Sequence, residues 1–492
     1  MKLSKLIKNL KNYKTINFKD VEVEHITSSS LEVGRGSVFF AYKGSNLDGR
    51  DYVFDAVSKG AVAVVTDREF DCLIPQIIVS DSRIATSVLA KEFYKQNKQV
   101  KVIGVVGTNG KTTTTFIMQS ILRSAGYKVG VIGTLGIFYG NHKISPELTT
   151  PDAISLYETL YNMSEEEVDY CVMEVSAHAI SQKRCYGIKF ESIIFTNCTQ
   201  DHLDYFKTFN EYEKTKLSLF NCKYSKTFVV NSDSNSGVKI LNKNLKNTIS
   251  YGLKNPADVF AVDLIKSSNK TDFIMNILDD LLSVSFNMAG EFNVLNCLGA
   301  TACARILGVN IDDIKRGINE CLPVKGRMQF VENYNGANIY VDFAHTPDGV
   351  ENTLKAFRQI TKNKLYVILG CGGNRDKSKR EIMGEIAGRL ADFTIITSDN
   401  PRYEEPYLIM AEIEKGVRKN SSKYILIENR YIATGYAIEK LSSGDVLAIL
   451  GKGAEEYQEI MGNKVKYSDF ESVKDIIAKI GLGGEFIWKI AF

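Results

Sequence analysis

The run Val102-Ile103-Gly104-Val105-Val106 leads into Gly107-Thr108-Asn109-Gly110-Lys111-Thr112-Thr113-Thr114. Residues of these types in this order can hold a nucleoside triphosphate. Glycines let backbone N–H groups approach phosphate oxygens, and a helix opening at Lys111 turns its positive end toward them. The lysine adds a full charge, and Thr112 offers an oxygen to Mg²⁺. The common phosphate loop places a glycine five residues before Gly110, but here that position is Val105, with glycines at 104 and 107. Turn chemistry alone gives a poor account of a lysine and consecutive threonines after Gly110.

Other polar groups gather at the ends of apolar runs. Met173-Glu174-Val175-Ser176-Ala177-His178 places an acid, a hydroxyl and an imidazole after a buried-type strand. A buried carboxylate is costly unless paired, so Glu174 is a candidate Mg²⁺ ligand, with a capping role as the plain alternative. Thr196-Asn197-Cys198-Thr199-Gln200-Asp201-His202 follows the next strand, and three of the five histidines (178, 202 and 345) lie in such clusters. His202 is a candidate functional ligand on that ground. Gly326-Arg327-Met328, the stretch 342–348 and Gly370-Cys371-Gly372-Gly373-Asn374-Arg375-Asp376 set turn glycines beside charged groups. By composition, the charged stretch 211–217 reads as a solvated helix face.

These clusters need strands to carry them. A mixed α/β unit is expected over 1–99, with strands near 37–41 and 61–65, ending in the polar run 94–99. From residue 100, apolar runs near 130–133, 170–175 and 192–195 alternate with helical segments, as in a mostly parallel sheet covered on both faces. A third unit begins near 323–326 and repeats the pattern at 339–341, 365–369, 393–397 and 446–450. The expected domains are therefore 1–99, 100–324 and 325–492. Open parallel sheets bind ligands at the carboxyl ends of their strands, where the polar clusters fall.

At 492 residues the chain exceeds one core and suggests about three domains. Its 44% hydrophobic and 24% charged residues are those of an ordinary globular protein. A net charge of +3 with no basic stripe argues against nucleic acid as a partner. The nine cysteines lack CxxC pairs and read as core thiols of a reducing compartment. The first ten residues read as an amphipathic helix, and no run reaches the ~18–20 apolar residues that cross a bilayer. The apolar stretch 486–492 is expected to pack or pair as a strand.

Taken in order, Gly107-Thr108-Asn109-Gly110-Lys111-Thr112-Thr113, Glu174-Val175-Ser176, Thr196-Asn197 through Asp201-His202, Asn293 and Asn296, Gly326-Arg327, Asp342 through Asp348 and Asp399-Asn400-Pro401-Arg402 resemble the motifs of the Mur ligases. The likeness covers nearly the whole chain and is greatest to the branch that adds the third residue of the peptidoglycan stem peptide. The Gly107/Gly110 spacing is that family's own. The resemblance implies an N-terminal UDP-binding domain, a central P-loop ATPase domain with a mostly parallel sheet and a C-terminal Rossmann-like domain. It implies a cytoplasmic enzyme, expected as a monomer, that uses ATP and Mg²⁺. Its substrates would be UDP-MurNAc-L-Ala-D-Glu and meso-diaminopimelate, joined through an acyl phosphate.

By the same resemblance, Lys111, Glu174, His202 and Lys216 are the catalytic group. Thr112, Glu174, His202 and Lys216, carried as a carbamate, would hold metal, which reverses the solvated reading of 211–217. ATP would be bound by 107–113 with Asn293, Asn296, Arg327 and Asp342. Ser30, Ser45 and Asn46 would meet the uridine diphosphate, and Thr149, Thr150, Ser176, Gln182 and Arg184 the muramoyl dipeptide. Arg375, Asp399, Asn400, Arg402, Gly451 and Glu455 would choose the amino acid. Arg402 suits a distal carboxylate, which lysine-adding relatives do not meet with an arginine there.

The chain departs from the family pattern in four places. An N-terminal Asp-Ser-Arg is here Ser29-Ser30-Leu31, Asn374 replaces an acid, Glu381 replaces a proline and Ala454 replaces a histidine. A paralogue taking L-lysine or a different acceptor is therefore one rival. A folylpolyglutamate- or cyanophycin-type ligase and a non-catalytic sensor of wall precursors are the others.

Overall fold

The computed structural model describes residues 1–44, 47–145, 148–421 and 423–481. Ser45, Asn46 and the stretch 486–492 lie outside them. The chain divides into two compact units, one of Met1–Val106, Gly126–Ile193 and Ser218–Thr227, the other of Gly107–Ala125, Ile194–Leu217 and Phe228–Phe492.

The first unit holds a five-stranded sheet in the order Tyr13–Ile16, Gln76–Val79, Ala61–Thr66, Ser37–Ala41, His25–Thr27. All neighbours are parallel except the first pair. Ser37–Ala41 is buried along its whole length, as a strand covered on both faces must be. The N-terminal helix is shorter than its periodicity suggests: Leu3–Leu6 is helical and Ile7–Asn9 forms a tighter turn, with Leu3, Leu6 and Ile7 buried. In the same unit Lys101–Val106 pairs in parallel with Tyr170–Val175, which pairs in parallel with Val129–Gly133. Tyr170–Val175 is wholly buried, and both it and Lys101–Val106 deliver polar residues at their carboxyl ends.

In the second unit the helix Lys111–Ser124 opens directly behind Gly110. Ser225–Asn231, at the seam between the units, and Thr248–Gly252 are parallel. An antiparallel ribbon of Val259–Lys266, Thr271–Ile277 and Asp280–Phe286 continues from them. This ribbon departs from the mostly parallel pattern; its outward residues reach solvent, as alternating burial requires. A six-stranded sheet runs in the order Gln329–Tyr334, Ala337–Asp342, Val446–Leu450, Leu365–Leu369, Phe393–Ile396, Tyr424–Leu426, parallel apart from its first hairpin. Separate clusters centred on Val367 and Leu369 and on Ile368 and Ile449 fill its two faces. The strands at 170–175, 365–369 and 446–450 have the bounds that the sequence suggests.

Helices Ser378–Leu390 and Pro406–Arg418 meet at backbone distance. A Cβ at Gly416 would stand 1.9 Å from the Glu381 carbonyl oxygen, and one at Gly384 2.0 Å from that of Ile413. Gly416→Ala should cost about 1–3 kcal/mol by overpacking, read as a lower urea midpoint. An unchanged midpoint would contradict so close an approach.

Candidate functional site

In the second unit the phosphate-type loop is held by what presses on it. Gly110 has φ +85°, and a Cβ there would lie 2.3 Å from Asn296 Oδ1; one at Gly107 would lie 1.8 Å from Thr196 Oγ1. The unusual glycine spacing thus answers two neighbours that leave no room for a side chain. Asn109 is the hub of the loop. Its N–H donates to Asn197 Oδ1 at 2.9 Å, and its carbonyl accepts from Thr196 Oγ1 at 2.6 Å. Its side-chain amide donates to Asp348 Oδ2 at 2.7 Å and accepts from Thr346 Oγ1 at 3.2 Å. The Lys111 ammonium folds back onto the carbonyls of Gly107 and Thr108, at 3.0 and 2.8 Å.

Beneath the loop lies Lys216, 1% exposed. Its Nζ donates to Thr108 Oγ1 at 2.7 Å and to the Tyr212 hydroxyl at 2.6 Å, and sits 3.9 Å from the Tyr212 ring centre. Among the described residues no carboxylate lies within ion-pair distance of it. Burial pulls its amine down to about 7, and the nearby Lys111 pulls the same way. The helix Phe209–Leu217 is therefore solvated on one side only: Phe209, Asn210, Glu211 and Lys214 are exposed, whereas Tyr212, Glu213 and Lys216 are buried and Glu213 accepts from Ser236 and Lys239. Composition misread it because charge says nothing about which residues a neighbouring element covers.

His202 stands in the left-handed region (φ 56°), its Nε2 3.4 Å from Asp201 Oδ2. Asp201 is buried and accepts from Lys379 Nζ at 3.1 Å. Burial works to raise its carboxyl, but Lys379, His202 and His345 outweigh it and hold the group well below the usual carboxylate range. Arg327 donates from Nη2 to Thr112 Oγ1 at 2.9 Å and stacks over the Phe343 ring. Asp342 is occupied locally, accepting from the N–H groups of Met328 and Ala344 and from Thr353, so it fixes the turn that carries Arg327. Asn293 and Asn296 are buried, the first donating to the Ala289 carbonyl. Thr113 is buried as well.

The same unit gathers the residues expected to choose the amino acid. Asn400 donates to Glu455 Oε2 at 2.9 Å and accepts from Lys452 at 2.9 Å, and Lys452 also reaches Glu455 at 3.0 Å. Burial would raise the Asp399 carboxyl; Lys452 and Arg430 prevail and hold it below the ordinary range. Gly451, at φ +113°, must lack a side chain because a Cβ would sit 2.6 Å from Asp399 Oδ2. Arg402 is left-handed at φ +54° and reaches the Gly373 carbonyl at 2.8 Å. Arg375 is exposed beside Gly372, which it shares with Arg402. Asn374 accepts from the Tyr403 N–H, a local role in place of the acid usual there.

The first unit holds a separate set. Glu174, 1% exposed, accepts from the Thr134 N–H at 2.9 Å and the Thr134 hydroxyl at 3.2 Å, and Thr149 lies 3.2 Å from that hydroxyl. Thr150 Oγ1 donates to the Glu174 carbonyl and accepts from the Ser176 N–H. Ser176 caps the helix Ala177–Ser181. Arg184 donates to the Thr150 carbonyl at 2.8 Å and grips Gln182 Oε1 with two nitrogens. Thr149, Thr150, Ser176, Gln182 and Arg184 thus form one network. Ser30 offers its carbonyl to Lys59 in the turn after His25–Thr27, and Leu31 beside it is exposed.

Three family models match the chain in order. The Mur ligase family catalytic domain covers residues 22–110, the Mur ligase middle domain 105–304 and the Mur ligase glutamate ligase domain 326–453. A UDP-N-acetylmuramoyl-L-alanyl-D-glutamate--2,6-diaminopimelate ligase of Clostridium botulinum is 39% identical, with 98% of this chain and 100% of the relative covered. The chain belongs to the Mur ligase family. A ligase of the same name from Bacillus velezensis is 39% identical over 96% of this chain and 98% of its own. A solved diaminopimelate ligase structure matches with TM-score 0.67 and 28% identity, covering 93% of this Mur ligase and 95% of that chain. The fold is accordingly the three-domain α/β architecture of the family, and the chain is an amide-bond-forming ligase.

Among the described residues no three His, Cys, Asp or Glu side chains converge on a metal position. No described helix is long and apolar enough to cross a membrane. Seven cysteines are buried, Cys72 is partly covered and Cys222 is exposed.

Sequence reasoning missed two residues. Tyr212 seats Lys216, and Lys379 neutralises Asp201; the latter hides in Lys377-Ser378-Lys379-Arg380, which reads as a solvated basic run. Removing one partner of a buried pair leaves a charge stranded, so Lys379→Met should cost about 3–5 kcal/mol at neutral pH. A depressed carboxyl stabilises only above its unfolded value, so the deficit should shrink as pH falls below about 4. Urea unfolding at stepped pH checks both; a pH-independent gap would contradict the pairing.

Proposed function

We propose that this Mur ligase works in the cytoplasm, joining meso-diaminopimelate to UDP-MurNAc-L-Ala-D-Glu with ATP and Mg²⁺, and releasing ADP and phosphate. The observation that carries the reading is the presence, in one unit, of both the phosphate loop and the Asp399-Asn400-Pro401-Arg402 pocket with its Lys452 and Glu455 partners. Close likeness over nearly the full length to ligases of that name supports the same substrates. The domains assigned are 1–99 for the uridine nucleotide, 100–324 for ATP and 325–492 for the amino acid.

The reaction forces a phosphate toward a carboxylate, so the first requirement is positive charge where the two meet. Lys111 now rests on two loop carbonyls, partners that a phosphate oxygen replaces at little cost. Arg327 adds a guanidinium beside Thr112. The loop N–H groups and the helix end behind them supply further donors, and Asn293 and Asn296 hold the adenine side. Thr150, Ser176, Gln182 and Arg184 hold the muramoyl dipeptide, with Ser30 on the nucleotide side. Asn400, Glu455 and Arg402 orient the incoming amino acid so that its amine attacks the acyl phosphate, forming the amide and expelling phosphate.

In the second unit Thr112, His202 and a carbamate on Lys216 would hold Mg²⁺, which when bound neutralises phosphate charge, and Glu174 of the first unit is a further candidate metal ligand. A carbamate forms by addition of a neutral amine to CO₂ with loss of a proton. An amine brought down to about 7 is largely ready for that at neutral pH. Thr108 and Tyr212 fix its direction.

The test is ADP release by the purified chain with ATP, Mg²⁺ and UDP-MurNAc-L-Ala-D-Glu, comparing meso-diaminopimelate, L-lysine and L-ornithine, with product masses determined. Turnover chiefly with diaminopimelate is expected; none with any amine would overturn the reading. Lys111→Ala should lower turnover by at least about a hundredfold, the usual loss when a charge-stabilising donor goes. Near-normal activity in that variant would remove Lys111 from the chemistry.

A further inference from the structure

Resting on the reading that the Arg402 pocket receives the amino acid, one acid in it has no role assigned so far. Glu459 is fixed through its backbone: its N–H donates to Asn400 Oδ1 at 2.9 Å, and its carbonyl accepts from the Arg402 N–H at 2.9 Å. The Met461 N–H in turn donates to the Arg402 carbonyl at 2.8 Å. None of these bonds uses a side chain of the strand Tyr457–Ile460, so they hold residue 459 beside Arg402 whatever its type. From that position the carboxylate Oε2 accepts from Arg402 Nε at 2.9 Å.

The guanidinium is therefore already shared. Nε serves Glu459, Nη1 serves the Gly373 carbonyl, and among the described residues Nη2 makes no hydrogen bond. A distal carboxylate arriving here takes the Nη1/Nη2 edge while Glu459 stays on Nε, so two anions flank one cation. Glu455 stands in the same pocket through Asn400 and Lys452. A distal ammonium thus meets two acids, and a distal carboxylate meets one arginine half neutralised.

We propose that Glu459 is a specificity-determining residue: it weakens capture of a distal carboxylate and favours a distal ammonium. It narrows the margin by which diaminopimelate is preferred over a diamino acid lacking the second carboxylate, such as L-lysine. Since it acts on the remote end of the substrate, its effect falls on binding rather than on the chemical step.

The experiment measures KM and kcat for meso-diaminopimelate and L-lysine in the wild type, Glu459→Gln, Glu459→Ser and Glu459→Asp. Diaminopimelate carries both a carboxylate and an ammonium at its distal end, so both neutral variants should lower the ratio of its KM to that of L-lysine about three- to tenfold, with kcat held within about twofold, the scale of a partly exposed charge pair. They should raise KM for L-lysine, and Glu459→Asp, which keeps the charge, should stay near the wild type. Either neutral variant with wild-type melting suffices, since the backbone bonds persist in both. An unchanged or higher ratio of the diaminopimelate KM to the L-lysine KM would overturn the proposal while leaving the ligase reading intact. A wild type that uses neither amino acid removes that reading, and this inference with it.

Discussion

A lysine ammonium is expensive to bury without a carboxylate, and in this Mur ligase Lys216 is buried with its hydrogen bonds going to two hydroxyls and its ammonium against an aromatic face, no carboxylate among the described residues lying within ion-pair distance. That constraint orders much around it. Thr108 must turn its hydroxyl downward to meet the amine, which fixes the phosphate loop from below. Tyr212 must pack one helical turn before it, which buries the helix Phe209–Leu217. The amine answers by losing basicity, down to about 7, so that a share of it is neutral at neutral pH.

From above, the loop is held by contacts too close for side chains. Thr196 and Asn296 occupy the space a Cβ would need at Gly107 and Gly110, and Asn109 ties the loop to 197 on one side and to 346 and 348 on the other. The amino-acid pocket has the same logic, with Gly451 leaving room for Asp399 and a left-handed Arg402 turned toward the Gly373 carbonyl. Rigid backbone sets these charges in place, and Lys452 and Arg430 hold the Asp399 carboxyl below its ordinary range.

What the sequence made legible was whatever carries a local signature. The buried strands at 170–175, 365–369 and 446–450 read directly from apolar runs, and the glycine-lysine-threonine order marked the phosphate loop. Residues 149, 150, 176, 182 and 184, singled out only through resemblance, form one hydrogen-bonded network. Illegible were features made by distant partners. Composition misread the helix at 209–217, Lys379 carried no signal of its pairing with Asp201, and nothing around Glu459 announced its bond to Arg402, 57 positions away. The antiparallel ribbon was missed because its alternating pattern differs from the buried runs on either side.

We propose that burial prepares the Lys216 amine for carbamylation. The direct measurement is ¹³C NMR of the protein in ¹³C-bicarbonate, with Lys216→Ala alongside. A carbamate carbonyl resonance in the wild type that is missing from the variant is predicted. A wild type that turns over fully with no such resonance would contradict the account.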